Sequence, residues 1–251
     1  MQEDRIMSIH VEKRQLVIPG DILAEKDFVA GENTYSDGKK LCSSVIGLTE
    51  AEGNRISVIP LKGCYMPLVG DLVIGKVIDV GLSGWTLNIN SPYPGVLFAS
   101  EVFGRSFDPK KDELTQAFDV GDMALAKVAA FERTRDPMLS IRDVGLGRIT
   151  RGRITEITPS KIPRLIGKKG SMISMLKRET ECNITVAQNG IVLISCKNPK
   201  DEDLVISAIR KVEAEAHLTG LTDRVSEMIR KEKGTTLQAP KGENDVSGKV
   251  S

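Results

Sequence analysis

The sequence predicts a multidomain chain, β-rich through its first 147 residues and α+β beyond them, and three observations carry that reading. Short β-branched runs separated by glycine- and proline-bearing turns fill the N-terminal half. One stretch of it is echoed: V-G-D-L-V-I-G-K-V (Val69–Val77) recurs as V-G-D-M-A-L-A-K-V (Val120–Val128). Further on, residues 164–176 read R-L-I-G-K-K-G-S-M-I-S-M-L, a helical run interrupted by two glycines that bracket two lysines.

At 251 residues the chain exceeds one ordinary domain, so two or three are expected. An apolar share of 40% with 27% charged residues describes a soluble globular protein. No apolar stretch approaches the ~18 residues that a membrane span requires, and no membrane partner is expected. The start lacks a basic region followed by an apolar one, so a cytoplasmic location is predicted. The four cysteines, Cys42, Cys64, Cys182 and Cys196, form no C-x-x-C pair, and only two histidines are present; no metal site is expected. Cys182 and Cys196 can approach each other across a hairpin, although buried free thiols are the expected state in a cytoplasmic protein.

The net charge of +1 is unevenly spread. Residues 1–66 sum to −2 and residues 67–147 to −3, whereas residues 148–216 sum to +5. Between Lys161 and Arg178 six basic side chains occur with no acidic one. A local basic face of this kind suits phosphate binding, the competing reading being an ordinary solvated face.

Residues 1–66 are expected to form a small N-terminal β domain. Q-L-V-I-P-G-D (Gln15–Asp21) places a β run before a Pro-Gly turn, and Cys42–Leu48 and Arg55–Leu61 are two further strands around E-A-E-G-N. Residues 67–147 add G-W-T-L-N-I-N (Gly84–Asn90), G-V-L-F-A-S (Gly95–Ser100) and P-M-L-S-I-R (Pro137–Arg142) to the two echoed strands. Five strands with a longer connection between the third and fourth suit the five-stranded OB barrel, an unrelated β-sandwich fragment being the rival. The residues resemble the S1 class of RNA-binding OB domains. That class carries G-x-F-V and G-L-V-H-x-S where this chain reads G-W-T-L and G-V-L-F-A-S, so Thr86 and Phe98 replace the usual phenylalanine and histidine. Trp85 and Tyr93 are nearby aromatics, Trp85 serving equally well for packing or as a ligand platform. Arg133 and Arg135 fall in the loop between strands four and five, a common oligonucleotide contact in OB folds.

Residues 148–220 carry the third part. A strand at Gly152–Ile157 leads to a short helix at Ile162–Ile166 that Pro163 helps to start. After the G-K-K-G loop, Ser171 is placed to cap a helix over Met172–Thr180. Cys182–Ala187 and Ile191–Ser195 are strands joined through Asn189-Gly190, a hairpin signal, and a helix with Val205, Ile209, Val212 and Ala216 at helical spacing follows. The order β-α-α-β-β-α, with G-x-x-G between adjacent helices, resembles a KH domain of the eukaryotic-type topology. Such a domain binds about four nucleotides and clamps their backbone with this loop. Gly167 and Gly170 let phosphates approach the amides, the next helix presents its positive end, and Lys168 and Lys169 add mobile charge. Arg164 and Ser171 complete the candidate RNA-binding set with Arg133 and Arg135. Ile162, Leu165, Ile166 and Ile184 are available for a base-facing groove or for the core. A nucleotide-binding P-loop is excluded, because no lysine follows a second glycine at the required spacing.

A β-rich N-terminal domain with V-I-P-G-D, an S1-class barrel and one KH domain, in that order, resembles the KH-bearing RNA-binding cap subunit of the archaeal exosome over roughly residues 10–233. L-G-R-I-T-R-G-R-I (Leu146–Ile154) and H-L-T-G-L-T-D-R (His217–Arg224) are further matching features. The resemblance implies a non-catalytic protein without cofactor that binds single-stranded RNA. It implies three copies on a hexameric ring of RNase-PH-like subunits, with the N-terminal domain docking there and the ring performing 3′-to-5′ degradation. Ala51–Asn54 and the P-G-D turn are expected docking points. Residues 221–251 are expected to hold one amphipathic helix, Thr222–Lys233, and a disordered tail from Gly234. The alternative is a transcription or translation factor built from S1 and KH modules. A transcription-elongation factor of that kind has two KH copies of the other topology. Polynucleotide phosphorylase carries its KH before its S1 domain, behind large catalytic domains. The zinc-ribbon type of exosome cap is excluded by the scattered cysteines.

Overall fold

The computed structural model describes residues 8–9, 11–12, 14–25, 28–61, 63–104, 113–216, 218 and 220–237. Two compact units account for them: residues 1–148 together with 158–162 and 188–190, and residues 149–157, 163–187 and 191–251.

Eight short strands form the start of the first unit: β1 (Ser8–Ile9), β2 (Leu16–Val17), β3 (Ile22–Glu25), β4 (Val29–Ala30), β5 (Thr34–Asp37), β6 (Lys40–Ser43), β7 (Gly47–Glu52) and β8 (Arg55–Pro60). They make two four-stranded sheets, ordered β1-β3-β6-β5 and β2-β7-β8-β4. Val17, Leu23, Ala24, Leu41, Ile56 and Val58 from both sheets share one core. The run Cys42–Leu48, expected as a single strand, is two. β6 ends at Ser43, whose buried hydroxyl donates to the Val45 carbonyl at 2.7 Å and turns the chain into the other sheet.

The barrel consists of β9 (Leu72–Val80), β10 (Gly84–Asn88), β11 (Gly95–Phe98), β12 (Met123–Glu132) and β13 (Arg135–Ser140), with short helices α1 (Ala99–Val102) and α2 (Leu114–Ala117) between β11 and β12. Its order is β13-β11-β10-β9-β12, closed by the β12–β13 pairing, with β11 and β13 parallel; β14 (Gly147–Arg148) adds to the β12 edge. This is the closed five-stranded OB-like barrel that the sequence predicts.

The echoed segments pair with each other. β9 and β12 run antiparallel, and each V-G-D turn caps the far end of the other strand. Gly70 N–H donates to Val128 O and Val128 N–H to Asp71 O; reciprocally, Gly121 N–H donates to Val77 O and Val77 N–H to Asp122 O, at 2.8–2.9 Å. Gly70 and Gly121 sit at φ 97° and 99°, which side chains rarely adopt. The aspartate carboxylates accept from the amides three residues back, Leu68 and Asp119. Asp71 also accepts the Tyr65 hydroxyl at 2.7 Å. Burial, with that carboxylate alongside, pushes the Tyr65 hydroxyl far above the usual phenol range. Alternate residues Val73 and Val77, and Ala124, Ala126 and Val128, then point into one core with Trp85 and Leu97.

Residues 188–190 belong to this first unit through a fully buried asparagine. Asn189 Nδ2 donates to Ile74 O at 2.7 Å and Ile89 O at 2.9 Å, and its Oδ1 accepts from Ile74 N at 3.4 Å. The amide thus substitutes for a strand beside β9, and Gln188 exchanges two bonds with Leu72. Asn189→Leu should lower stability by about 2–3 kcal/mol, because it leaves two buried carbonyls without donors. Urea unfolding would read this; a loss no larger than that of a surface change would refute it.

The second unit holds β15 (Arg153–Glu156), α3 (Ile162–Ile166, apart from its first residue), α4 (Ser171–Thr180), β16 (Asn183–Val186), β17 (Ile191–Ser195), α5 (Pro199–Ala214) and α6 (Leu221–Leu237). The sheet order β15-β17-β16 is antiparallel throughout, as the KH topology requires. Met172, Met175 and Leu176 of α4 and Val205, Ala208, Ile209 and Val212 of α5 are buried. α6 buries Leu221, Val225 and Ile229, one per turn. It runs to Leu237, so residues 234–237 of the expected tail are helical, and the rest of that tail, 238–251, lies outside the described residues.

Cys182 and Cys196 are joined in a disulfide, correcting the expectation of free thiols. Asn183 stands opposite Ser195, so the flanking cysteines face each other with Cα atoms 4.4 Å apart, within disulfide range. Among the described residues no helix is long and apolar enough to cross a membrane.

Candidate nucleic-acid interface

The G-K-K-G loop is positioned by the short helix before it and the long one after it. Leu165 is fully buried and Ile162 nearly so, which seats α3; its last backbone bond, Gly167 N–H to Pro163 O at 2.9 Å, delivers the chain to the loop. Gly167 then takes φ 75°, ψ 173°, a region open essentially only to glycine. A Cβ there would stand 2.8 Å from the Met172 amide nitrogen and 2.9 Å from Met172 Cβ. The absence of a side chain is what allows α4 to start so close to the end of α3. Lys169 (φ 51°) and Gly170 (φ 78°) are left-handed, and Gly170 N–H closes the turn on Gly167 O at 3.1 Å. Both lysine side chains are exposed on the outer surface of this turn.

Ser171 does not cap α4 as expected. Gly170 is the N-cap residue and Ser171 is the first helical residue, because the left-handed turn leaves no extended position for a serine cap. Its exposed position leaves it beside the lysines at the amide-bearing end of the helix. Arg164 points elsewhere. Its Nε donates to Ala216 O at 2.6 Å and its Nη2 to Leu218 O at 3.1 Å, both in the chain leaving α5. Of the apolar residues proposed for a groove, Ile162, Leu165 and Ile184 are core, and Ile166, 36% exposed, stands open next to Gly167. At the far end of α4, Arg230 and Arg178 bond the Glu179 carboxylate and hold it below the usual carboxylate range.

In the barrel, Arg133 lies in the β12–β13 turn and Arg135 opens β13; both are exposed. Trp85 is 1% exposed, donates its indole N–H to Phe118 O at 2.8 Å and meets the Phe118 ring edge-on. It is a packing residue. Tyr93 and Phe131 form a second edge-to-face pair with centroids 5.1 Å apart. The structure therefore gathers residues 167–171 in one loop, turns the Arg164 side chain away to the chain after α5, and holds Arg133 and Arg135 together on one barrel hairpin.

Sequence reasoning expected an apolar docking surface on the N-terminal β domain but did not name the residues that form one. In the sheet β2-β7-β8, Leu16 stands opposite Leu48 and Leu48 opposite Ile59. The same face continues with Ile18, Ile46 and Leu61, the last donating its amide to Ile46 O. Five of these six aliphatic side chains are exposed, Leu16 to 58%. Three apolar pairs with i, i+2 spacing signalled this face in the sequence. The expected Ala51–Asn54 segment lies at the other end of the β7–β8 hairpin, and the P-G-D turn follows Ile18.

A β-rich N-terminal domain, a closed OB-like barrel and a KH fold with an open G-x-x-G loop define the class of multidomain proteins built from nucleic-acid-binding modules. A family model described as the exosome RNA binding protein RRP4 N-terminal domain matches residues 14–62, and the KH domain model matches residues 152–214. The exosome complex component Rrp4 of Nitrosopumilus maritimus is 46% identical over 88% of this chain and 97% of its own. That of Pyrococcus furiosus is 42% identical over 95% and 93%. A crystal structure described as an exosome complex RNA-binding protein aligns with TM-score 0.67 and 43% identity, over 69% of this chain and 99% of that one. The chain belongs to the Rrp4 family of exosome components.

Proposed function

We propose that this chain is a non-catalytic cap subunit of an exosome, binding single-stranded RNA and guiding it into an RNase-PH-like ring for 3′-to-5′ degradation in the cytoplasm. The observation that carries it is the G-K-K-G loop, whose backbone is shaped by Gly167 and whose two lysines are both free to reach phosphate. Gly167, Lys168, Lys169, Gly170 and Ser171 take the RNA backbone, and Arg133 and Arg135 add a second electrostatic contact on the barrel. Three copies would stand on a hexameric ring. RNA incubated with the purified chain, phosphate and Mg²⁺ should stay intact; degradation would overturn the non-catalytic assignment.

The exposed aliphatic face of β2, β7 and β8 supports a docking role for the N-terminal domain, since contiguous apolar surface of this kind marks an interaction site. An exosome ring subunit is the occupant that fits the family. Leu16→Glu combined with Ile59→Glu should abolish co-purification with ring subunits from the native source while leaving RNA affinity of the isolated chain unchanged. Retained co-purification would place the docking surface elsewhere.

A further inference from the structure

Helix α6 lies beyond the span matched by the KH model, yet the chain leading into it holds the helix that enters the G-K-K-G loop. On one side, Arg164, three residues before Gly167, bonds the carbonyls of Ala216 and Leu218 just past the end of α5. Those carbonyls lie in the turn beyond α5, and the planar fork of a guanidinium fits two such acceptors at once. On the other side, Lys233 of α6 donates Nζ to Glu179 O at the end of α4, and Arg230 reaches the Glu179 carboxylate. Of the two helices that the loop joins, α3 is thus tied to the chain between α5 and α6, and α4 is tied at its far end to the later turns of α6.

We propose that Arg164 is a positioning residue for RNA binding rather than a phosphate ligand. It fixes α3, and through α3 the entry of Gly167, against the chain between α5 and α6. The inference rests on the RNA-binding reading of the loop. A loop already held in its bound shape loses less conformational freedom on capturing a nucleotide backbone, so the anchoring raises affinity without adding a charge contact.

The two roles separate in salt dependence. Each phosphate contact on a single strand contributes a slope of about 0.7 in log affinity against log salt, and a residue that touches no phosphate contributes none. With oligouridylate as probe, Arg164→Gln should lower affinity about fivefold at every salt concentration and leave the slope unchanged. Lys168→Gln should reduce the slope by about 0.7. Arg164→Lys keeps the charge but lacks the fork, so it should recover only part of the affinity, whereas a phosphate ligand would be replaced almost fully. Thermal unfolding of each variant identifies any whose loss comes from unfolding, and Arg164→Lys then carries the test. A slope reduced by Arg164→Gln, or an unchanged affinity, overturns the inference while Lys168→Gln still reports on the loop. A parent chain that binds no oligouridylate defeats the functional reading itself, and the inference with it.

Discussion

Replacing Lys168 and Lys169 together by aspartate should weaken binding of single-stranded RNA at least about tenfold and flatten its salt dependence. Both ammonium groups stand on the outside of a turn that φ values of 75°, 51° and 78° at positions 167, 169 and 170 hold open. Neutralising two phosphates releases their counterions, about 0.7 slope units each on a single strand, and reversing the charges removes that term and adds repulsion. Neither lysine is in the core, so thermal stability should change little. Filter binding or anisotropy across a salt series reads both quantities. An affinity and slope equal to those of the parent chain would remove this loop from the RNA path and leave the barrel arginines as the remaining electrostatic contact.

Trp85→Ala should cost about 3–5 kcal/mol of stability, the range for truncating a large aromatic in a packed core. The side chain is 1% exposed, its indole N–H satisfies Phe118 O, and its ring packs on Phe118 and, at 6.4 Å between centroids, on Phe103. Its removal leaves a cavity at the barrel end and an unmatched carbonyl. Because it is the sole tryptophan, its fluorescence gives a second readout. Emission should be that of a buried indole and should not respond to saturating RNA. Quenching by RNA would make Trp85 a stacking platform and refute the packing role.

The KH part was the most legible. Its element order, the loop and the Asn-Gly hairpin each carry a local signal, and helix periodicity selected Val205, Ile209, Val212 and Ala216, all of them buried. Two local rules misled. Ser171 has the composition of a helix cap, but the left-handed backbone forced by Gly167 and Gly170 moved the cap to a glycine. Cys42–Leu48 has the composition of one strand, but a buried serine hydroxyl divides it between two sheets. The expectation of free thiols at Cys182 and Cys196 was wrong, since cysteine spacing does not fix register, and the Asn183–Ser195 pairing brings the two within bonding distance.

By itself the sequence determined where chain direction and charge are set. Glycines mark positive φ, lysines without neighbouring acids mark a basic loop, and the repeated V-G-D marks two equivalent strands. Such features depend on residues a few positions apart. Tertiary structure alone decided which exposed cation is free and which is occupied. Arg164 and Lys168 are four residues apart and look interchangeable in the sequence, yet one finds two carbonyls more than fifty residues away and the other faces solvent. It also decided that Asn189, a turn residue by its local signal, is a buried hydrogen-bonding amide. The partners in both cases are backbone carbonyls, which every residue carries and no sequence pattern distinguishes, so only the folded path of the chain brings them into reach.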